Sequence, residues 1–180
     1  MPDTHLVTAE ELERLPDDDY RYELVAGRVI RMSPVGYLHG KVVAKLFFLL
    51  MRHVRAEDLG AVVTEVGFTL ASDPDTVRAP DVAFIARHRI PSPEPRGFWK
   101  GPPDVAIEVL SPDDRLTEVR AKIEEYLAHG VRAVVIVDPD DSSVAVHRAS
   151  RGVVTLYARD ELNLDDVVAG FRCAVDEILR

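Results

Sequence analysis

The chain has 180 residues, with 22 Lys and Arg against 31 Asp and Glu and a formal net charge of −9 at pH 7. Its 47% hydrophobic and 29% charged residues exclude a disordered chain, and its longest apolar run, 44–51, is broken by Lys45, which excludes a helical membrane span. The single Cys173 excludes an intrachain disulfide and a multi-cysteine zinc site, and so acidic a surface repels nucleic acid unless basic groups cluster or metal ions intervene.

No internal repeat is visible, and one domain over residues 1–180 is expected. Its start, MPDTHLVTAEEL, lacks a basic beginning and a long apolar stretch, so no secretory signal is read and a cytoplasmic protein is expected. Thr8, with Glu11 three residues on, predicts an N-cap for a short helix reaching Leu15, and Pro16, Asp17, Asp18 and Asp19 stop it. Residues 22–32 (YELVAGRVIRM) predict two strands about a turn at Ala26 and Gly27. A loop at 33–36 leads to a helix over 38–55, where Leu38, Val42, Leu46, Leu49, Leu50 and Val54 recur at helical spacing. Residues 61–70 read as a strand and 71–76 as a turn. A strand over 77–85 is interrupted at Pro80, which places it at an edge or a strand start.

Residues 86–103 hold five prolines and read as a long loop. Residues 104–110 (DVAIEVL) read as a buried strand. Ser111-Pro112-Asp113-Asp114 opens a helix that runs to about His129 and stops at Gly130. Residues 133–138 predict another buried strand, 144–147 and 153–157 a hairpin, and the tail a connection with a short closing helix. The strand-helix-strand passage 104–138 predicts a parallel pair with a right-handed crossover. With the antiparallel hairpins, this gives an α/β fold of α+β character around a mixed sheet.

Three carboxylates sit where solvated surface charge is not expected. Glu108 lies inside the apolar strand VAIEVL, Asp81 opens the run VAFI after Pro80, and Glu23 sits between Tyr22 and Leu24. A charge in a buried strand is costly unless it is paired or binds a metal. Each alone reads as a strand-end carboxylate that accepts backbone hydrogen bonds. Together they offer the oxygen donors that suit a hard divalent ion. In the following helix Lys122 borders the stripe Leu116, Val119, Ile123 and Leu127, with Tyr126 beside it. Lys122 either sends its ammonium toward the sheet's carboxylates or pairs at the surface with Glu118 or Glu125.

Pro-Asp on one strand, Glu-x-hydrophobic on the next and Lys on the helix after it resemble the PD-(D/E)XK nuclease superfamily. The chain is most similar to the Uma family of restriction-endonuclease-like proteins, long called a domain of unknown function. The carrying stretches are YELVAGRV (22–29), VRAPDVAF (77–84), PPDVAIEVLSPDDR (102–115), KIEEYLAHGV (122–131) and AVVIVDPDDSSVAVHR (133–148). The resemblance implies a restriction-endonuclease-like mixed central sheet flanked by helices. It implies Asp81 and Glu108 as the metal-binding pair, Lys122 as the lysine and Glu23 as a further acidic group of the site. The superfamily's usual lysine position is Leu110 here, and the resemblance implies that the lysine has moved to the helix.

The implied chemistry is DNA phosphodiester hydrolysis with Mg²⁺ or Mn²⁺ on Asp81 and Glu108, the Val109 carbonyl as an added ligand and Lys122 stabilising charge at the phosphate. Lys41, Lys45, Arg52 and Arg55 with His39 and His53, and Arg87, Arg89, Arg96 and Lys100 with His88, Phe98 and Trp99, could track DNA. In the other reading the helix shows a solvated face, and Phe98 and Trp99 pack on the core or a partner subunit. His39 reads as a capping or polar interior group. A homodimer and no membrane are expected. A nuclease fold kept as a binding or regulatory module, or a phosphoesterase acting on RNA or nucleotides, are the alternatives.

Overall fold

Residues 5–15 and 20–180 are described in the computed structural model of the chain, and the helix stop expected at 16–19 lies outside them. In chain order the elements are α1 (Ala9–Glu13), β1 (Arg21–Val25), β2 (Arg28–Met32), α2 (Tyr37–Ala56), β3 (Gly60–Val63), β4 (Phe68–Ala71), β5 (Thr76–Arg78), β6 (Val82–Ala86), β7 (Trp99–Lys100), β8 (Val105–Val109), α3 (Leu116–Ala128), β9 (Ala133–Asp138), β10 (Ser143–Arg148), β11 (Gly152–Tyr157), β12 (Glu161–Asn163), β13 (Arg172–Ala174) and α4 (Val175–Leu179).

Local chemistry accounts for several boundaries. Thr8 caps α1 through a reciprocal capping box with Glu11. Ala26 and Gly27 both take positive φ, the geometry that joins two tightly paired strands. Along α2, Val42, Leu46, Leu50 and Val54 are buried on one stripe, and burying each contributes about 1.5–3 kcal/mol.

The central sheet has the order β11-β10-β9-β8-β6-β3. Its β8 and β9 are parallel and its other pairs antiparallel, so it is mixed as expected. A second sheet has the order β2-β1-β5-β4-β7, and β12 with β13 forms a third, two-stranded one. The pleat of the central sheet separates two cores. Val105, Ile107 and Val109 face the layer of α2 and α4. Ala106 and Val134 face Ile123 and Tyr126 of α3, and Ala83 and Ile85 face Phe68 and Trp99 of the second sheet. Helices thus flank the sheet, and the second sheet shares one of its faces with α3.

The structure departs from the sequence reading at four places. The run 61–70 is two strands in different sheets, with Glu65 at φ 57° in the connection. The run 77–85 likewise splits between sheets about Ala79 and Pro80, and β6 lies inside the central sheet, so Pro80 marks a strand start and not an edge. The segment 86–103 contains a 3₁₀ turn at Arg87–Arg89 and the strand β7. Helix α3 begins at Leu116 and not at Ser111, because Asp114 accepts the Ser111 amide and closes a turn there. Leu116 is consequently exposed rather than part of the apolar stripe.

Candidate active site

The split of 77–85 between two sheets sets the site at their seam. Strand β6 pairs with β8 so that Val82 faces Ile107 and Ala83 faces Ala106. Asp81 immediately precedes β6 and Glu108 follows Ile107 in β8, so both lie at this end of the paired strands. Asp81 Oδ2 accepts the Val109 amide at 2.8 Å and lies 3.2 Å from His39 Nε2 of α2. Its Oδ1 lies 3.9 Å from the Arg21 guanidinium, which itself pairs with Glu65 at 2.9 Å.

Glu108 points to α3, where Lys122 and Tyr126 follow one another by one helical turn. The Lys122 ammonium lies 2.8 Å from Glu108 Oε1, and the Tyr126 hydroxyl donates to the same oxygen at 2.8 Å. Lys122 also pairs with Glu23 Oε1 at 3.0 Å. The buried reading of Lys122 therefore holds, and its pairing with Glu118 or Glu125 does not occur.

Glu23 on β1 uses both oxygens. Oε1 takes Lys122 and the Ala79 amide, and Oε2 takes Arg78 Nη1 at 2.8 Å. Arg78 on β5 turns its Nε to Glu125 of α3. Lys122, Glu23, Arg78 and Glu125 thus form a chain of ion pairs that leaves α3, crosses the second sheet and returns to α3.

Burial sets the electrostatics. Desolvation pushes the Glu108 carboxyl up to about 7, with the Asp81 and Glu23 charges adding and Lys122 opposing. Glu108 and Glu23 hold Lys122 charged despite its burial. Glu23 is held below its ordinary value because Lys122 and Arg78 outweigh its desolvation. His39 is raised, chiefly by its bond to Asp81. Tyr126 is raised by burial and the Glu108 charge, so its hydroxyl remains a donor.

All four sequence-predicted residues, Asp81, Glu108, Lys122 and Glu23, come together at this seam. Sequence reasoning missed Arg78, Glu125, Arg21 and Tyr126 as members of the cluster. An arginine inside the short apolar strand TVR was the available signal for Arg78. The other three carry no local signal, since each matters only through a partner distant in the chain.

Among the described residues no three His, Cys, Asp or Glu side chains converge as a ready-made metal cage. The donor set that exists fits a small hard cation nonetheless. Mg²⁺ is commonly held by one or two carboxylates, with water and substrate phosphate completing its shell. Both bonds from α3 fall on Glu108 Oε1, which keeps Oε2 out of those contacts. Among the described residues the buried Nδ1 of His39 has no hydrogen-bond partner.

The basic segments divide. None of the ion pairs among the described residues involves Lys41, Lys45, Arg52 or Arg55; on α2 the two arginines are exposed and the two lysines half-buried. His53 is tied to the Ala169 carbonyl at 2.8 Å. In the 86–103 segment Arg89 is tied to Asp104 and the Pro102 carbonyl. Trp99 is buried in the second-sheet core, and Phe98 packs against the Leu12, Leu24 and Val77 cluster. Core packing, not an exposed stacking surface, is the role of these two aromatics.

A mixed sheet with helices on its faces and this acidic seam defines the restriction-endonuclease-like class. The family model of Uma2, described as "Putative restriction endonuclease", matches residues 9–176, and the chain belongs to that family. A crystal structure described as a putative nuclease belonging to DUF820, from Anabaena variabilis ATCC 29413, is similar in fold. It superposes with a TM-score of 0.85 at 21% identity, covering 96% of this chain and 97% of that one. No curated protein matches the chain. No helix among the described residues is long and apolar enough to cross a membrane.

Proposed function

We propose that the protein is a metal-dependent endonuclease that hydrolyses phosphodiester bonds in DNA. The observation that carries this reading is the meeting of Lys122 with Glu108 at 2.8 Å, next to Val109, whose amide Asp81 accepts. Asp81 and Glu108 would hold Mg²⁺ or Mn²⁺. When bound, such an ion supplies Lewis-acid polarisation of the phosphate and lowers the pKa of a coordinated water.

The chain's own groups supply the rest. Lys122 is a buried positive charge at the edge of the carboxylate pair, suited to stabilise negative charge developing on the phosphoryl oxygens. Glu23 acts as its holder, because both Glu23 oxygens are occupied by Lys122, Arg78 and the Ala79 amide. The Val109 amide and His39 fix Asp81 through Oδ2. The cations of α2 offer a place for the phosphate backbone, which reconciles a net charge of −9 with a DNA substrate.

A second copy of the chain fits the outer strand β11, an uncharged edge with Val153, Val154 and Tyr157 exposed. Sedimentation equilibrium tests this, with Val154→Lys expected to yield monomers.

The deciding experiment is nicking of supercoiled plasmid in Mg²⁺ or Mn²⁺, run beside single-stranded DNA and RNA. Cleavage of the plasmid should vanish in Asp81→Asn, Glu108→Gln and Lys122→Met. Activity that survives all three substitutions overturns the assignment. Metal binding without cleavage of any substrate would make the fold a binding module instead.

A further inference from the structure

We propose that Tyr126 is a positioning residue for Glu108, turning one carboxylate oxygen toward the metal by occupying the other. The proposal rests on the metal-site reading above. Tyr126 is fully buried, and its ring fills the layer between α3 and the central sheet with Ala106, Ile123 and Val134. A phenylalanine would serve that packing equally. The hydroxyl is what needs explanation, because burying it without a partner is unfavourable.

Its partner is Glu108 Oε1 at 2.8 Å, the same atom that Lys122 contacts at 2.8 Å. Lys122 and Tyr126 are four residues apart, so they project from one face of α3 and reach Glu108 side by side. Two donors on one oxygen set the carboxylate's rotation about its terminal bond, which is broad when nothing constrains it. Oε2 is then the oxygen left to face the Asp81 side. Lys122 divides its ammonium between Glu108 Oε1 and Glu23 Oε1 at 3.0 Å, whereas the Tyr126 hydroxyl donates to Glu108 Oε1. The Tyr126 hydroxyl sits on a ring locked by the core and supplies a fixed reference.

Isothermal titration calorimetry with MnCl₂ on the full chain tests this. Tyr126→Phe keeps the ring and so the core. Its Mn²⁺ dissociation constant is expected to rise at least tenfold, the usual range when a group holding a metal ligand is removed. Ile123→Val thins the same apolar layer without touching Glu108 and serves as the packing control. It should lower the melting temperature and leave the dissociation constant unchanged. Asp81→Asn should abolish binding. Wild-type affinity in Tyr126→Phe, with binding lost in Asp81→Asn, overturns the role of Tyr126 alone. Wild-type affinity in Asp81→Asn, or no binding by the unsubstituted protein, overturns the metal site and this proposal with it. Equal weakening in Tyr126→Phe and Ile123→Val overturns the positioning role, because general packing would then account for both.

Discussion

Lys122 and Glu108 meet at 2.8 Å across the gap between α3 and β8, and the same lysine reaches Glu23 of the second sheet at 3.0 Å. One ammonium therefore joins three elements that are separate in the chain. Its burial is tolerable only because two carboxylates surround it, and each carboxylate in turn needs it.

Removing that ammonium should have a pH-dependent cost. In Lys122→Met the Glu108 carboxylate loses its nearest positive charge. Breaking a buried pair from one side costs about 3–5 kcal/mol while the remaining group stays charged. The Glu108 carboxyl is already raised to about 7, and without Lys122 it rises further. Below that value it is protonated and the penalty shrinks. Urea denaturation should show a larger deficit for Lys122→Met at pH 8 than at pH 5.

Metal affinity should follow the same carboxyl with the opposite sense. A folded-state value near 7 lies above the ordinary carboxylate value of 4.5. Binding an ion at pH 5 or 6 must therefore release a proton. Affinity is expected to climb by up to about tenfold per pH unit below 7 and to level off above it. Titration calorimetry in two buffers of different ionisation enthalpy counts the released proton directly.

Arg78 bridges Glu23 and Glu125 with separate nitrogens. A lysine ammonium is a compact charge without that planar fork. Arg78→Lys should cost about 2–3 kcal/mol of stability by loosening a buried network. It should also lower cleavage by freeing Glu23, and with it Lys122. Glu125→Gln should cost less, because Arg78 keeps Glu23. Thermal denaturation and plasmid nicking on both variants separate the two effects.

Two basic positions should respond differently to alanine. Lys45 lies on α2 outside the ion pairs of the described residues, whereas Arg89 neutralises the buried Asp104 at 2.9 Å. Lys45→Ala should weaken DNA binding uniformly and reduce the salt slope by about 0.9 for each phosphate that is no longer neutralised. Arg89→Ala should lower the melting temperature with little change in the slope. Fluorescence anisotropy across a salt series, with a melting curve for each variant, checks both.

Much of the fold was legible in the sequence because local rules governed it. The Thr8–Glu11 box, the Ala26-Gly27 turn, the α2 stripe and the apolar strands β8 and β9 each follow from spacing within a few residues. Runs 61–70 and 77–85 misled for the complementary reason. An apolar run names a strand but not the sheet it joins, and each of these runs feeds two sheets. For Trp99 and Phe98 the sequence left stacking and core packing both open, because the prolines around them read as a loop. The second sheet covers both.

The candidate site divides along the same line. Sequence alone determined that Glu108 lies in an apolar strand, that Asp81 stands just before one and that Lys122 borders an apolar helix face, since these are properties of neighbours in the chain. It left open whether Lys122 turns to solvent or to the sheet, because both rotations are compatible with helical spacing. Only the tertiary structure decided that. Packing α3 across β8 and beside β1 places two carboxylates within 3.0 Å of the ammonium, and a charge excluded from water takes the position where opposite charges already stand. The same packing brought Arg78, Glu125 and Tyr126 to the site, residues whose role exists only between elements.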